Sequence, residues 1–240
     1  MAFEGRVFEY LVISLFVAPF SLRYAGMDKR GSLAAFFVGF FVYISLGFSG
    51  FLVLLSLHVL GALVTRIGYN RKQSFGIAQK KRSFENVCAN GFFPAAAAVA
   101  TVVFTDYSRL FYVVFVSAIA AATSDTVSSE LGELSKTRPR LITTFEQVEA
   151  GTDGAISVVG TIAGLGGASI IAIVGILSET IVSSPLLFLI VVVSGFSGTI
   201  VDSLLGATFE RKKLIGNDLV NLFSIGAGLL VSVLLYLSMA

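Results

Sequence analysis

Residues 32–65 read SLAAFFVGFFVYISLGFSGFLVLLSLHVLGALVT, without one Asp, Glu, Lys or Arg among them. As a single helix rising 1.5 Å per residue, the stretch would reach about 50 Å, against about 30 Å of bilayer hydrocarbon. It is too long for one span and long enough for two. Its natural break is Gly47 to Gly50, GFSG. It therefore predicts two helices, 32–46 and 48–66, the first short for a span and so tilted or shallow.

Working outward, Val7–Phe20 is a further apolar run. Glu4 and Glu9 flank Arg6, and no small-residue cleavage site follows, so a retained helix over 6–22 is expected rather than a signal peptide. On the other side lie apolar runs predicting helices at 88–105, 109–132, 153–178, 184–206 and 218–239. The composition agrees: 55% of residues are hydrophobic and 13% charged, and the mean hydropathy is +0.89. The runs are unbroken rather than alternating, so helices and not a closed barrel satisfy the backbone in lipid. The expected fold is all-α: one polytopic transmembrane domain over residues 1–240, with about eight helices and seven as the alternative count.

Charge placement tests the count. Eight helices put the links 21–31, 66–87, 133–152 and 207–217 on one side. These hold three, six, three and three Lys and Arg residues, 15 of the 17 in the chain; only Arg6 and Arg109 fall opposite. A six- or seven-helix count scatters the basic links over both faces. By the positive-inside bias the basic side is cytoplasmic, which puts both termini outside and the functional links on the cytoplasmic face.

Several chemistries are excluded. The one cysteine, Cys88, forms neither an internal disulfide nor a cysteine metal cluster. No Gly-Lys-Ser/Thr ending makes a P-loop. With no tryptophan and no basic domain outside the membrane, nucleic-acid binding has no support. His58 stands alone in its helix and reads as a packing or hydrogen-bonding residue.

Acids inside apolar helices are the sharpest signal. Asp125 and Asp202 each lie near the basic end of an apolar helix. A charged Asp at a helix centre costs roughly 2.5–3.5 kcal/mol on insertion scales, and these two face the negative ends of their own helix dipoles. A metal ion, a basic side chain or a proton must offset that charge. The plain alternatives are a neighbouring Arg or a place at the water boundary. Ser129 shares the face of Asp125, whereas Glu130 is about 140° round the helix from it. Gly198, Asp202 and Gly206 line one face, with Ser203 beside it.

Helix starts converge on the same side. Gly151–Gly164, GTDGAISVVGTIAG, reads as a helix start capped by Thr152 or Asp153, with Gly154, Ser157, Thr161 and Gly164 on one face. Such a start suits a phosphate; the alternative is close helix packing through small residues. Asn217, Asp218 and Asn221 open the last helix on one face. Lys80-Lys81-Arg82 and Arg211–Lys213 suit phosphate clamping or, more plainly, topology alone. A faint repeat links SDT before GTDG with VDS before GND, a pattern common in transporters.

Taken together, Lys80-Lys81-Arg82 before Ala89-Asn90-Gly91, SDTVSSELG at 124–132, GTDGAISVVG at 151–160, VDSLLGAT at 201–208 and NDLVN at 217–221 resemble the integral-membrane family that includes plant phytyl-phosphate kinase. The resemblance covers essentially the whole chain. Ser124 stands where Ala is more usual, and Asp153-Gly154-Ala155 where Asn-Gly-Gly is. It implies phosphorylation of a prenyl monophosphate, such as phytyl or geranylgeranyl phosphate, to the diphosphate with CTP as donor. On this reading Asp125, Asp202 and Asp218 form the catalytic set, and Asp125, Glu130 and Asp202 hold Mg²⁺. Lys80, Lys81, Arg82, Asn90, Gly151, Thr152, Asp153, Gly154, Ser157, Ser203, Arg211, Asn217 and Asn221 bind nucleotide or lipid phosphate. Membrane lipids surround the protein, in a cell or organelle membrane, and a homo-oligomer is compatible with it. The rivals are an ion or small-anion transporter and another lipid-phosphate enzyme such as a cytidylyltransferase.

Overall fold

A computed structural model describes residues 3–24, 26–78, 81–178 and 184–239 of the chain. The helices are α1 (Phe3–Tyr24), α2 (Lys29–Arg66), α3 (Tyr69–Ser74), α4 (Phe84–Val103), α5 (Ser108–Gly132), α6 (Val158–Ser178), α7 (Pro185–Leu205) and α8 (Asn217–Leu237). Among the described residues all but the short α3 are long and apolar enough to cross a membrane, which makes seven such helices. The fold is all-α, polytopic and membrane-embedded, as the sequence predicts.

The decisive stretch behaves as read. Gly47, with φ 66° and ψ −157°, interrupts α2 with a conformation that only glycine adopts readily. A straight helix would hold Gly31 and Gly61 about 45 Å apart, yet both pack against Arg82, Gly31 on its carbonyl and Gly61 on its guanidinium. Gly39 likewise meets the ring of Phe51. So α2 is a hairpin of two limbs, its first turn capped by Asp28, whose side chain accepts from Gly31 N at 2.6 Å.

Successive passes run in opposite directions. Arg6 donates to the Ile44 carbonyl at 2.7 Å, placing the start of α1 beside the hairpin turn. At the opposite end Arg82 N donates to the Gly26 carbonyl at 2.8 Å and Asp28 N to the Arg82 carbonyl at 3.2 Å, so the link between α1 and α2 joins the one before α4. The basic links thus gather at one end.

The core is α5. Its residues Val113–Ser124 are buried without interruption, as expected of a helix that is small and apolar all round. Gly164, Gly167 and Gly175 of α6 lie against Ser124, Val127 and Val116; Gly195 and Gly198 of α7 lie against Ala120 and Ala121. Without side chains at these points the helices approach closely, the usual basis of association in lipid.

The boundary that departs furthest from expectation is the start of α6. The helix predicted from residue 153 begins at Val158, and the residues before it form a loop. Gly151 and Gly154 have φ of 81° and 75°, incompatible with a right-handed helix. Ala155–Ile156 (β2) pairs antiparallel with Arg140–Leu141 (β1). Thr152 is not the cap, since its Oγ1 donates to the Glu149 carbonyl at 2.7 Å. Ser157 takes that role, its Oγ accepting from Gly160 N at 3.1 Å. Gly154 therefore does not share a helical face with Thr161 and Gly164. A Cβ on it would collide with Ala207, in the π-helical turn Gly206–Glu210 that ends α7. Its bareness lets this loop lie on that turn.

Candidate functional site

The close packing of α5 on α7 brings the two membrane acids together. The carboxyl groups of Asp125 and Asp202 interact directly. Nearby, buried Thr199 Oγ1 donates to Ser124 Oγ at 2.8 Å, fixing one helix to the other. From α8, Ser224 Oγ donates to Asp202 Oδ2 at 3.2 Å. Neither Asp has a basic partner: among the described residues the one ion pair is Lys72–Glu130. The charges of Asp153, in the loop before α6, and Asp202 both reach Glu210 of the π-helical turn, as does that of Asp218.

Glu130 is placed differently. It is buried at the end of α5; Thr65 Oγ1 donates to its Oε1 at 2.7 Å and Lys72 Nζ donates to its Oε2. Lys72, only 1% exposed, is carried in by α3. Next to Glu130, just beyond α5, the Glu133 carboxyl is pushed up to about 7 by burial and by the charge of Glu130, against the pull of Lys72.

Arg82 lines the same cavity as the two acids. Its guanidinium lies against Gly61, and among the described residues it makes no ion pair. Burial pulls it below its ordinary range, while the Glu130 charge works the other way; an arginine stays protonated regardless. A half-buried cation with no carboxylate in contact among the described residues suits an anion.

These groups line one cavity of about 410 Å³. Its polar half holds Asp125, Asp202, Arg82, Glu210 and Glu133, with Asn86 and Asn90 of α4 and Asn217 and Asn221 of α8. Its other half runs between α1, the α2 hairpin and α4 to Tyr10, Phe36 and Phe51. His58 stands where the halves meet, its Nε2 2.9 Å from Ser21 Oγ.

The structure thus gathers Arg82, Asn90, Asp125, Glu130, Gly151, Thr152, Asp153, Gly154, Ser157, Asp202, Ser203, Asn217 and Asn221 around one space. Lys81 and Arg211 are exposed and outside it. Asp218 stands behind its wall, accepting from Asn86 Nδ2 at 3.3 Å. Lys80 lies outside the described residues. Sequence reading missed Asn86, Glu133 and Glu210. Asn86 was findable, being one turn before Asn90, whose Nδ2 donates to the Asn86 carbonyl at 2.9 Å. Among the described residues no three His, Cys, Asp or Glu side chains converge to hold a metal.

Fold and site together define a polytopic membrane protein with one amphipathic cavity, charged at its basic end and apolar within the bilayer. The chain belongs to the family described as integral membrane protein DUF92, which matches residues 12–229. The family resemblance carried by the sequence motifs is borne out. The chain is 39% identical to an uncharacterised membrane protein of Methanocaldococcus jannaschii, over 96% of this chain and 94% of that one. It is 33% identical to Protein VTE6, chloroplastic, of Arabidopsis thaliana, over 92% of this chain and 68% of that one. Protein PGR of the same plant is 27% identical, over 89% and 84%. No solved structure matches the chain.

Proposed function

We propose that this protein is a membrane kinase that transfers a phosphoryl group from a nucleotide, CTP by the family resemblance, to a prenyl monophosphate. Family membership supports the coarser reading, a protein of isoprenoid lipid-phosphate metabolism. The observation that carries the finer one is the cavity: an unpaired guanidinium and an unpaired carboxyl pair at its polar end, opening directly onto an apolar half inside the membrane.

In this reading the tail lies in the apolar half and both substrates' phosphates meet at the polar end, which the positive-inside bias puts on the cytoplasmic side. Arg82 binds and orients phosphate oxygens with its planar fork of donors. The first turn of α8 has no side-chain cap, so its N–H groups suit a phosphate beside Asn217 and Asn221. The attacking lipid phosphate is already anionic, so no residue has to remove a proton from it, and positioning and charge neutralisation carry the reaction. The residues fit Mg²⁺, which takes one or two carboxylates together with substrate phosphates and water: Asp125 and Asp202 would hold it, while Glu130 is engaged by Lys72 and Thr65. When bound, the ion neutralises charge on the transferring phosphates.

The test is to incubate purified protein in detergent with CTP, Mg²⁺ and geranylgeranyl or phytyl monophosphate. Release of CDP with a diphosphate lipid is expected, and Arg82→Met should weaken phosphate binding roughly tenfold or more. A CDP-lipid with pyrophosphate would instead mean a cytidylyltransferase. Anion flux in proteoliposomes without nucleotide turnover would mean a transporter.

A further inference from the structure

We propose that the aromatic cluster of Tyr10, Phe36 and Phe51 is the floor of the lipid-tail channel and sets the longest tail the protein accepts. This rests on the reading that the cavity holds a prenyl monophosphate, and it adds the residues that measure the tail.

The first limb of α2 presents Gly31, Ala35 and Gly39 at steps of four, hence along one face. Gly31 packs on the backbone of Arg82, and Gly39 meets Tyr10 and Phe51. From the level of Arg82 to the rings is thus about 12 Å along this limb, and about 15 Å from Gly61 to Phe51 along the other. Ala35 lines the cavity midway. The cavity as a whole, about 410 Å³, falls among ligand pockets. Its inner half, walled by Val17, Ala35, Leu54 and Leu57, offers little to a polar molecule and much to a hydrocarbon.

The floor is fixed in place. Tyr10 is 2% exposed, and its hydroxyl donates to the Phe36 carbonyl at 2.6 Å. That buried polar atom is satisfied and leaves the ring to face the channel. Its centroid is 5.3 Å from that of Phe36 and 6.0 Å from that of Phe51. A Cβ at Gly39 would sit 2.6 Å from the Tyr10 hydroxyl, so the bare glycine is what seats the tyrosine. Behind the rings Tyr43 donates to Glu9 at 3.0 Å, closing the channel toward the hairpin turn.

The experiment measures binding of geranyl, farnesyl, geranylgeranyl and longer prenyl monophosphates in detergent without nucleotide. It compares the natural chain with Phe51→Ala and Ala35→Phe. Deepening the floor should move the tightest binder to a longer tail. Filling the middle of the channel should move it to a shorter one, with at least a tenfold loss for the longest binder. If Phe51→Ala fails to fold, Ala35→Phe decides alone. An unchanged length profile in the folded variants overturns the proposal, as does failure of the natural chain to bind any member. CDP release with an unchanged profile leaves the kinase standing without this floor. Length-tuned binding without CDP release leaves the floor and removes the kinase.

Discussion

Two neighbourhoods at the basic end of α5 hold carboxylates, buried at Glu130 and half-buried at Asp125 and Asp202, and treat them in opposite ways. Around Glu130 the chain supplies its own cation: α3 delivers Lys72 and the end of α2 delivers Thr65. Around Asp125, little more than a turn deeper, α7 delivers a second carboxylate instead. Burying two acids side by side without a base is costly for a resting fold. The first neighbourhood balances its own charge, whereas the second has no basic partner among the described residues. The ordinary reading of acids in membrane helices as structural ion pairs fits Glu130 and fails for Asp125 and Asp202.

The sharpest way to break that contrast is to neutralise each acid. Asp125→Asn and Asp202→Asn should lower the proposed phosphoryl transfer at least roughly a hundredfold while the protein stays inserted and monodisperse in detergent. Activity near that of the natural chain at ordinary Mg²⁺ would make the pair structural after all.

Next in size is the opposite outcome at Glu130. Glu130→Gln leaves Lys72 buried without its partner and should cost about 3–5 kcal/mol of stability. Thermal unfolding in detergent measures it, and turnover per folded molecule should largely survive. The double change Lys72→Met with Glu130→Gln should recover much of that loss; stability falling further would show that the pair does more than balance charge.

The smallest effect is a pH dependence at Glu133. Its folded value of about 7 is above its ordinary 4.5, so the folded state binds the proton more tightly than the unfolded one. The associated stability is fully present below about 4.5 and is lost as pH rises through about 7. Thermal midpoints should therefore fall over that window, and Glu133→Gln should flatten the decline. An identical slope in the variant would assign the dependence to another group.

Much of this was legible in the sequence because the bilayer imposes it. Span length, the glycine break at 47 and the asymmetry of Lys and Arg act locally or along one axis. Asp125 and Asp202 were readable for the same reason, as charge where hydrocarbon tolerates little. The helix start at residue 153 was misread because a Gly-x-Asp-Gly sequence suits both a cap and a turn. The left-handed Gly151 and Gly154, and the packing of Gly154 on Ala207, decided it. The apolar half of the cavity gave no signal, since a side chain facing a channel and one facing a core are chemically alike.

By itself, then, the amino-acid sequence determined an all-α membrane protein, its hairpin, its basic end, its family and the two acids that lipid makes conspicuous. Only the tertiary structure decided which charge each acid meets. Lys72 pairs with Glu130 across 58 residues, and Asp202 reaches Asp125 because Gly195 and Gly198 let α7 settle on α5. Partner choice of this kind depends on helix approach and rotation in three dimensions, which no local spacing encodes.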